Sequence, residues 1–467
     1  MHVKRRVAAV LAVLCLLGAC ILGNRFRVGD SEGNPSVLPV FGKKETIYFW
    51  YSDESMSSFF NSAAVAFGQE HDVRVIPVLA EESEYLEAIN QASLHTDRIP
   101  DVYMISNESL EKAYMAGLAS PIEDEGNICT TAYFPQTALS AVTYHDKLVA
   151  YPFSFETSVL VYNESYLTQW AEQQVQRDYA ATEEEEFSEV QTLTLEERKA
   201  MAYEDLVAYY RAQIIPDTVD HILYIGNSFD VPEGVEGIMK WDVSDIFYNY
   251  WIVGEYMVVG GDAGDEEENI SIHNAEAIQC LEVYKALNQF FYIESDTVNF
   301  ESVVQDFIDG KIVYTIATAD AIQKLETAKK EGTLAYEYGF AVMPDVSSKL
   351  KSRSLSVTSA VAVNGYSENK ELANTFAAYL VQECSRDLYE RTGKVPANHL
   401  TNADNEAVQI YRQEYADSIS LCKMMSTSNF WIELEAMFSE VWNGGDVSAL
   451  VQELSELIQA QINGVTH

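Results

Sequence analysis

From Thr46 onward, strand-like runs alternate with amphipathic helical stretches along the chain. The first strand-like run is Thr46–Trp50, and apolar residues then recur at helical spacing in Met56, Phe59, Phe60, Ala63, Ala64 and Phe67. The pattern continues with a strand over 73–78, a helix over 85–92, a strand over 102–105 and a helix over 110–114. Strands that alternate with helices at this spacing indicate a parallel sheet built from right-handed β-α-β units.

A second series of strands and helices follows later in the chain. Its pattern predicts helices over 303–308, from 321, over 372–380 and over 447–458, and strands over 312–317, 338–343 and 356–363. The stretch 171–240 is harder to interpret, contains four consecutive glutamates at 183–186 and looks like an insertion. A chain of 467 residues is long enough for about two to four domains.

The charge balance is strongly acidic. There are 30 lysines and arginines against 72 aspartates and glutamates, which gives a net charge of −42. A chain this acidic is repelled by phosphate backbones, so we expect no binding to nucleic acid. Hydrophobic residues make up 48% of the composition, which is typical of a folded globular protein.

The N-terminus has the pattern of a secretory signal peptide over residues 1–20. Three basic residues, Lys4, Arg5 and Arg6, precede an apolar run that reaches Gly23. Leu17-Gly18-Ala19-Cys20 resembles a bacterial lipobox, so we expect Cys20 to be lipidated and to become the new N-terminus. An uncleaved membrane anchor is the alternative. Residues 21–44 carry glycines and prolines with little periodicity, which predicts a flexible tether.

Motifs of the common catalytic and metal sites are missing. The sequence contains no P-loop, no G-x-S-x-G elbow and no H-E-x-x-H, and we predict no cofactor and no metal site. The acidic run Gly260–Glu268 lacks the alternating oxygen ligands of an EF-hand, so a solvated loop is favoured over a calcium site. Of the six cysteines, Cys15 and Cys20 lie in the signal, and the other four show no C-x-x-C spacing, which indicates buried, inert thiols.

Polar and aromatic side chains follow two of the predicted strands. Trp50, Ser52 and Asp53 come at the end of the first strand, and Ser106, Asn107 and Glu108 follow the third. Ligands of open parallel sheets bind outside the carboxyl ends of the strands. This mixture suits a sugar, whose apolar face stacks on an aromatic ring while its hydroxyls take hydrogen bonds. The alternative is that Trp50 is core and that Ser52 or Asp53 only caps a helix.

Several segments carry a family resemblance. Lys147–Asn163 resembles the first interlobe crossover of extracellular ABC-transporter solute-binding proteins of the maltose-binding group. Further segments match the family in order and spacing: Pro100–Tyr103, Ala116–Leu118, Phe307–Lys311, Tyr338–Pro344, Asn369–Ala373 and Phe430-Trp431. The resemblance covers about residues 45–165 and 270–460.

This resemblance implies a class II periplasmic-binding-protein-like fold, with two hinged α/β lobes that close over a ligand. The first lobe is expected over 45–154 plus about 357–384, and the second over 155–356 plus about 385–467. In the first lobe the resemblance places Ser52, Asp53, Asn107 and Glu108 against the ligand, and Glu156 on the crossover supplies a carboxylate for sugar hydroxyls.

The resemblance also implies ligand contacts in the second lobe. Trp431 corresponds to the family's stacking aromatic residue. Asp320 lies where many members have tryptophan, which removes one stacking surface. Tyr248 and Trp251 are candidates to replace it, and their alternative role is the core of the second lobe.

The function implied is that of a binding protein and not an enzyme. We expect a monomer that is lipid-anchored on the extracellular face of the bacterial cell membrane. It captures a mono- or oligosaccharide and delivers it to the permease subunits of an ABC importer. The alternatives are a binding protein for a cationic solute such as a polyamine, a secreted glycoside-processing lipoprotein, and a sensor that feeds a kinase.

Overall fold

The structure is a computed structural model that describes residues 44–95, 98–124, 126–182, 193–401 and 404–464. Residues 45–467 form one compact unit. The predicted signal peptide, Cys20, the tether up to residue 43 and the glutamates at 183–186 lie outside the described residues. None of the helices in the described ranges has the length and apolar character needed to cross a bilayer.

The strands, in chain order, are β1 Thr46–Tyr51, β2 Arg74–Leu79, β3 Pro100–Ser106, β4 Thr143–Tyr144, β5 Lys147–Leu148, β6 Tyr151–Thr157, β7 Val159–Asn163, β8 Gly237–Met239, β9 Val258–Gly260, β10 Glu266–Ser271, β11 Ile312–Ala317, β12 Tyr338–Ala341, β13 Leu355–Val363, β14 Val395–Pro396 and β15 Ile419–Ser420. The strands expected from the sequence are all present, with ends shifted by a few residues.

The helices are α1 Ser57–Glu70, α2 Tyr85–His95, α3 Leu110–Met115, α4 Gln136–Ala141, α5 Glu164–Ala180, α6 Leu195–Lys199, α7 Tyr203–Arg211, α8 Val219–Ser228, α9 Ala275–Phe291, α10 Phe300–Ile308, α11 Asp320–Glu331, α12 Lys370–Gln382, α13 Leu388–Thr392, α14 Glu406–Asp417, α15 Phe430–Trp442 and α16 Val447–Ile462. Every helix expected from apolar periodicity is present.

The larger sheet has the order β14-β6-β13-β3-β1-β2, with β15 beside β13. The predicted parallel arrangement is confirmed for β1, which runs parallel to both β2 and β3. β13 runs antiparallel to β3 and β6. The local spacing did not indicate this reversal, because β13 enters the sheet from the other half of the molecule and not through a β-α-β unit.

The smaller sheet has the order β12-β7-β11-β8. β7 is antiparallel to both of its neighbours, and β8 is parallel to β11. Each sheet has its own large buried core. We call the larger sheet with its core the first lobe, and the smaller sheet with its core the second lobe.

The stretch 171–240 contributes helices to the second lobe. Trp170 on α5 is fully buried there, and so are apolar residues of α7 and α8. Arg198 forms a buried ion pair with Asp178, at 3.0 Å from its Nε to Oδ2, and the Tyr210 hydroxyl donates to the same carboxylate at 2.7 Å. The described parts of this stretch, 171–182 and 193–240, are therefore packed structure, and their periodicity is obscured by these buried polar side chains.

Residues 388–401 and 404–415 contribute to the core of the first lobe. Leu388, Tyr389, Val408, Tyr411 and Tyr415 belong to that core, and β14 pairs with β6. The expected division placed these residues in the second lobe, whereas their packing favours the first. The lobe boundaries remain a prediction.

Within the part of the chain that the structure describes, the chain passes between the two lobes at three places. These crossovers join β6 to β7, join β12 to β13, and follow β15. They lie side by side, because the Thr157 hydroxyl donates to the Leu355 carbonyl at 2.8 Å and the Leu421 amide donates to the Ser356 carbonyl at 3.0 Å. This bonded group of crossovers is the hinge of the molecule.

Glu414 on α14 is a buried carboxylate beside the hinge. Its Oε2 accepts from the Met343 amide at 2.9 Å, and its Oε1 accepts from the Ser354 hydroxyl. Burial raises the pKa of Glu414 to about 7, and the two hydrogen bonds only partly oppose this. Glu414 therefore ties α14 to both ends of the β12–β13 crossover.

We expect Glu414 to make the stability fall as the pH rises. Between the ordinary glutamate value and about pH 7, the folded protein keeps a proton that the unfolded chain has lost, so rising pH favours unfolding in that window. The contribution is on the order of 2–3 kcal/mol. Urea denaturation measures the free energy of unfolding at pH 5 and pH 7.5. Its decrease between the two pH values should be smaller for Glu414→Gln than for wild type. The exposed Glu453→Gln is the control, and equal losses in all three proteins would contradict the assignment.

Candidate ligand-binding cleft

A cavity of about 750 Å³ opens at the carboxyl ends of β1 and β3. Its wall includes four aromatic residues, Tyr51, Phe60, Tyr85 and Phe153. It also includes the hydroxyls of Ser52, Ser106, Ser154 and Ser359, the carboxylates of Asp53, Glu82, Glu84, Glu87 and Glu108, and the ammonium groups of Lys112 and Lys394. The predicted residues Ser52, Asp53 and Glu108 are therefore brought together at one site.

Two residues that line this cavity have a buried polar atom without a well-formed hydrogen bond. Ser106 Oγ and the Tyr85 hydroxyl make no hydrogen bond of normal geometry within the described chain, although Ser106 lies near the Glu108 carboxylate and Tyr85 near the Met104 backbone. Burial also raises the pKa of Tyr85, which keeps the phenol protonated as a donor. Because an unsatisfied buried polar atom is costly, these groups are suited to bind a polar ligand or a water.

A charged cluster forms one side of the cavity. Lys394 Nζ lies 3.5 Å from Asp53 Oδ2 and 3.7 Å from Glu156 Oε1. Burial opposes the charge on Lys394, but Glu156, Asp53 and Asp320 together outweigh it and raise the pKa of Lys394. Burial raises the pKa of Glu156 to about 7, although Lys394 lowers it. The cluster thus holds three carboxylates around one cation.

Asp53 serves two roles at once. Its Oδ1 accepts from the Ser55 amide at 2.9 Å and so caps a short 3₁₀ turn after β1. Its Oδ2 faces Lys394. The binding and capping interpretations of Asp53 are therefore compatible.

Glu156 and Asp320 are not part of the cavity lining. Glu156 lies behind Lys394 and does not line the cavity itself, and its Oε2 is buried without a hydrogen bond among the described residues. Asp320 begins α11 and is exposed. Lys394 was not predicted from the sequence, because it follows Gly393 in a turn and its neighbours in the cluster are distant along the chain.

A second cavity of about 400 Å³ adjoins the first. Both are lined by Glu108, Ser109 and Lys112. The wall of the second cavity continues through Cys422, Met424, Met425, Thr427, Ser428 and Trp431. Trp431 is half-buried and packs on Tyr250 at 5.4 Å between ring centroids. Burial raises the pKa of Glu108. The predicted aromatic residue of the second lobe and Glu108 of the first therefore share one cleft.

Trp50 and Asn107 do not line either cavity. Trp50 packs beside Tyr103 and Ile89 on the face of β1 opposite to Tyr51, and Tyr51 lines the cavity in its place. Asn107 is fully buried, and its amide donates to the Leu421 carbonyl and accepts from the Thr358 amide, each at 2.8 Å. These two bonds give Asn107 a structural role beside the crossovers, and the ligand contact expected of it stays a prediction.

Tyr248 and Trp251 do not line either cavity. Trp251 is 1% exposed in the core of the second lobe. Tyr248 is 7% exposed and stacks on Phe300, with ring centroids 5.4 Å apart and planes 12° apart. Of the two interpretations left open for these residues, their burial favours the core. The aromatic run they belong to forms short 3₁₀ turns, and that packing is not visible in the sequence.

The remaining candidate chemistry is structural. Over the ranges that the structure describes, no group of three or more histidine, cysteine or acidic side chains is placed to hold a metal ion. Cys129, Cys280, Cys384 and Cys422 are free thiols, and burial raises the pKa of each. The cleft itself offers aromatic, hydroxyl and carboxylate groups.

The family profile described as bacterial extracellular solute-binding protein matches residues 62–410. The chain belongs to this family. Its sequence is 22% identical over 431 residues to a galactooligosaccharide-binding protein of Bacillus subtilis, with 88% of each chain covered. The family and its structural neighbours are binding proteins, and its members act outside the cytoplasm.

Solved structures confirm the two-lobed fold. An extracellular solute-binding protein of Staphylococcus aureus in complex with maltose superimposes with a TM-score of 0.70 at 13% identity, over 93% of this chain and 100% of that one. A cyclo/maltodextrin-binding protein complexed with maltotetraose gives a TM-score of 0.69 at 15% identity, over 94% and 100%. The expected periplasmic-binding-protein-like architecture is therefore confirmed.

Proposed function

We propose that this solute-binding protein captures a carbohydrate and delivers it to an ABC importer. The observation that carries the proposal is the pair of adjoining cavities, which share Glu108, Ser109 and Lys112. Together they present aromatic faces and a series of hydroxyls and carboxylates, the mixture that sugar rings require. The relatives whose names mention galactooligosaccharide, maltose and maltotetraose support the same class of ligand.

The mechanism follows from the hinge and the cleft. Glu108 belongs to the first lobe, whereas Trp431 extends from α15, which packs in the second. A sugar held by both is buried when the lobes approach, and its release needs only their separation. No bond is broken in this cycle, so a permease receives the sugar unaltered.

We also propose that the protein acts as a monomer held at the extracellular face of the membrane by lipidated Cys20. The basic residues at 4–6 and the apolar run before Cys20 support this proposal. Fractionation of cells that produce the full chain tests it, because an anchored protein sediments with membranes and is released by detergent.

A panel of sugars tests the binding proposal. Thermal unfolding should shift upward with one class of oligosaccharide, since a ligand that binds the folded state stabilises it by mass action. Calorimetry at low and high salt should then give similar affinities, as expected for an uncharged ligand. No shift with any sugar, or new reducing ends after incubation, would count against a carbohydrate receptor.

Trp431→Ala should weaken sugar binding by about 1–2 kcal/mol, the value of one partly buried aromatic face. The fold should be retained, because Trp431 is only half-buried. Ile432→Ala is the matched control, since Ile432 is the next residue on α15 and is 69% exposed outside both cavities. Equal sugar affinities for the two variants would show that Trp431 does not contribute to binding.

A further inference from the structure

The turn between β9 and β10 approaches the hinge closely. It spans residues 260–265, and Gly260, Gly261 and Gly264 have positive φ angles of 87°, 68° and 74°. A Cβ atom at Gly264 would lie only 3.3 Å from the Cα of Cys422. The glycine-rich acidic run is therefore a turn shaped to lie against the third crossover.

Lys423 on that crossover is almost completely buried, with 1% of its surface exposed. Its Nζ donates to the carbonyls of Ser140 and Thr143, each at 2.6 Å, and to the carbonyl of Ala263. An ammonium group has three donors, and three carbonyls take them. Burial lowers the pKa of Lys423 to about 8, so at neutral pH the group is still mostly charged.

These three carbonyls come from different parts of the molecule. Ser140 and Thr143 lie on α4 and β4, and α4 packs in the core of the first lobe. Ala263 lies in the turn that follows β9, a strand whose Val259 packs in the second lobe. One side chain therefore joins both lobes to the crossover between them.

Further bonds hold the same turn. The Lys423 amide donates to the Gly264 carbonyl at 2.8 Å, and the His145 amide of the first lobe donates to Asp265 Oδ2 at 2.9 Å. Asp262 pairs with Arg353 of the second crossover at 3.3 Å. We call Lys423 together with the turn 260–265 the clasp.

We propose that Lys423 is a positioning residue, which uses the clasp to set how the two walls of the cleft face each other. The segment that follows it, from Met424 to Trp431, forms the wall of the second cavity opposite Glu108 and Lys112. Holding this segment to both lobes limits the range of angles that the hinge adopts without ligand. The effect on affinity rests on the proposed sugar binding, whereas the effect on the hinge does not.

The test measures the distance between the lobes in the ligand-free protein. Spin labels carried by unnatural amino acids at the exposed positions Gln69 on α1 and Glu453 on α16 leave the native cysteines untouched. Lys423→Met should broaden the distance distribution and shift its mean. It should also weaken binding of the sugar found in the panel on the order of ten-fold, because fewer molecules hold the binding-competent angle.

Two further variants make the result interpretable. Lys285→Met is the control, because Lys285 also donates to a carbonyl, that of Gly445, but lies away from the hinge. Asp265→Ala removes the bond to His145 and a carboxylate whose charge acts on Lys423, but keeps the three carbonyl bonds of Lys423. It should give a smaller broadening, which carries the test if Lys423→Met fails to fold.

The outcomes separate the two proposals. Distributions in folded Lys423→Met and Asp265→Ala that match the Lys285→Met control would overturn the clasp. Broadening in a protein that binds no sugar would leave the clasp in place and reject the carbohydrate proposal.

Discussion

Asn107→Ala should lower the free energy of unfolding by about 2–5 kcal/mol, because two buried backbone groups lose their partners at once. The Asn107 side chain accepts from the Thr358 amide and donates to the Leu421 carbonyl, and its own surface is completely buried. An alanine leaves both of these backbone groups without their present hydrogen bonds. Urea denaturation, with both the midpoint and the slope recorded, measures the loss.

The matched control is Asn61→Ala on α1. Asn61 is exposed and donates only to the Ser57 carbonyl of its own helix, so this change should stay within about 0.5 kcal/mol of wild type. Similar stabilities for the two variants would mean that Asn107 does not hold the crossovers together. A large loss would show that the residue following β3 serves the hinge.

Lys394→Met should weaken sugar binding by about 2–3 kcal/mol, on the order of 30- to 150-fold in the dissociation constant. Lys394 is a donor on the cavity wall and also the cation that faces Asp53 and Glu156. Without it, these carboxylates and Asp320 repel each other, and the pKa of Glu156 rises above its value of about 7. Titration calorimetry with the sugar found in the panel measures the change.

Lys324→Met provides the comparison for Lys394. Lys324 lies on α11, pairs with Glu301 and contributes to neither cavity, so its loss should leave the affinity unchanged. If Lys394→Met bound sugar within about three-fold of this control, Lys394 would have no part in the site. The thermal unfolding of both variants should be recorded, since a partly buried ion pair also contributes to stability.

Local pattern was sufficient for most of the secondary structure and for part of the cleft. Apolar residues at helical spacing placed α1, α10 and α12, and β-branched runs placed β1, β3 and β11. The rule that ligands bind at the carboxyl ends of parallel strands located Ser52, Asp53 and Glu108, all of which line the first cavity. These features depend only on residues that are neighbours along the chain, so a single sequence is enough to predict them.

The same reasoning did not separate adjacent residues at a strand end. Trp50 and Tyr51 are both aromatic, yet only Tyr51 faces the cavity, because successive side chains of a strand point to opposite faces of the sheet. Asn107 and Glu108 also divide between the hinge and the cleft, although they lie in a short 3₁₀ turn after β3 and not in the strand. Which face carries the cavity is decided by what packs on each side.

The sequence by itself determined an acidic α/β protein whose strand ends carry sugar-binding chemistry, since periodicity, charge and residue type are local properties. Only the tertiary structure decided that Lys394 meets Asp53 and Glu156, and that Lys423 meets carbonyls of Ser140, Thr143 and Ala263. These partners are far apart along the chain, and the crossovers between the lobes bring them together. A buried charge is stable only among partners that folding supplies, so no local pattern specifies it.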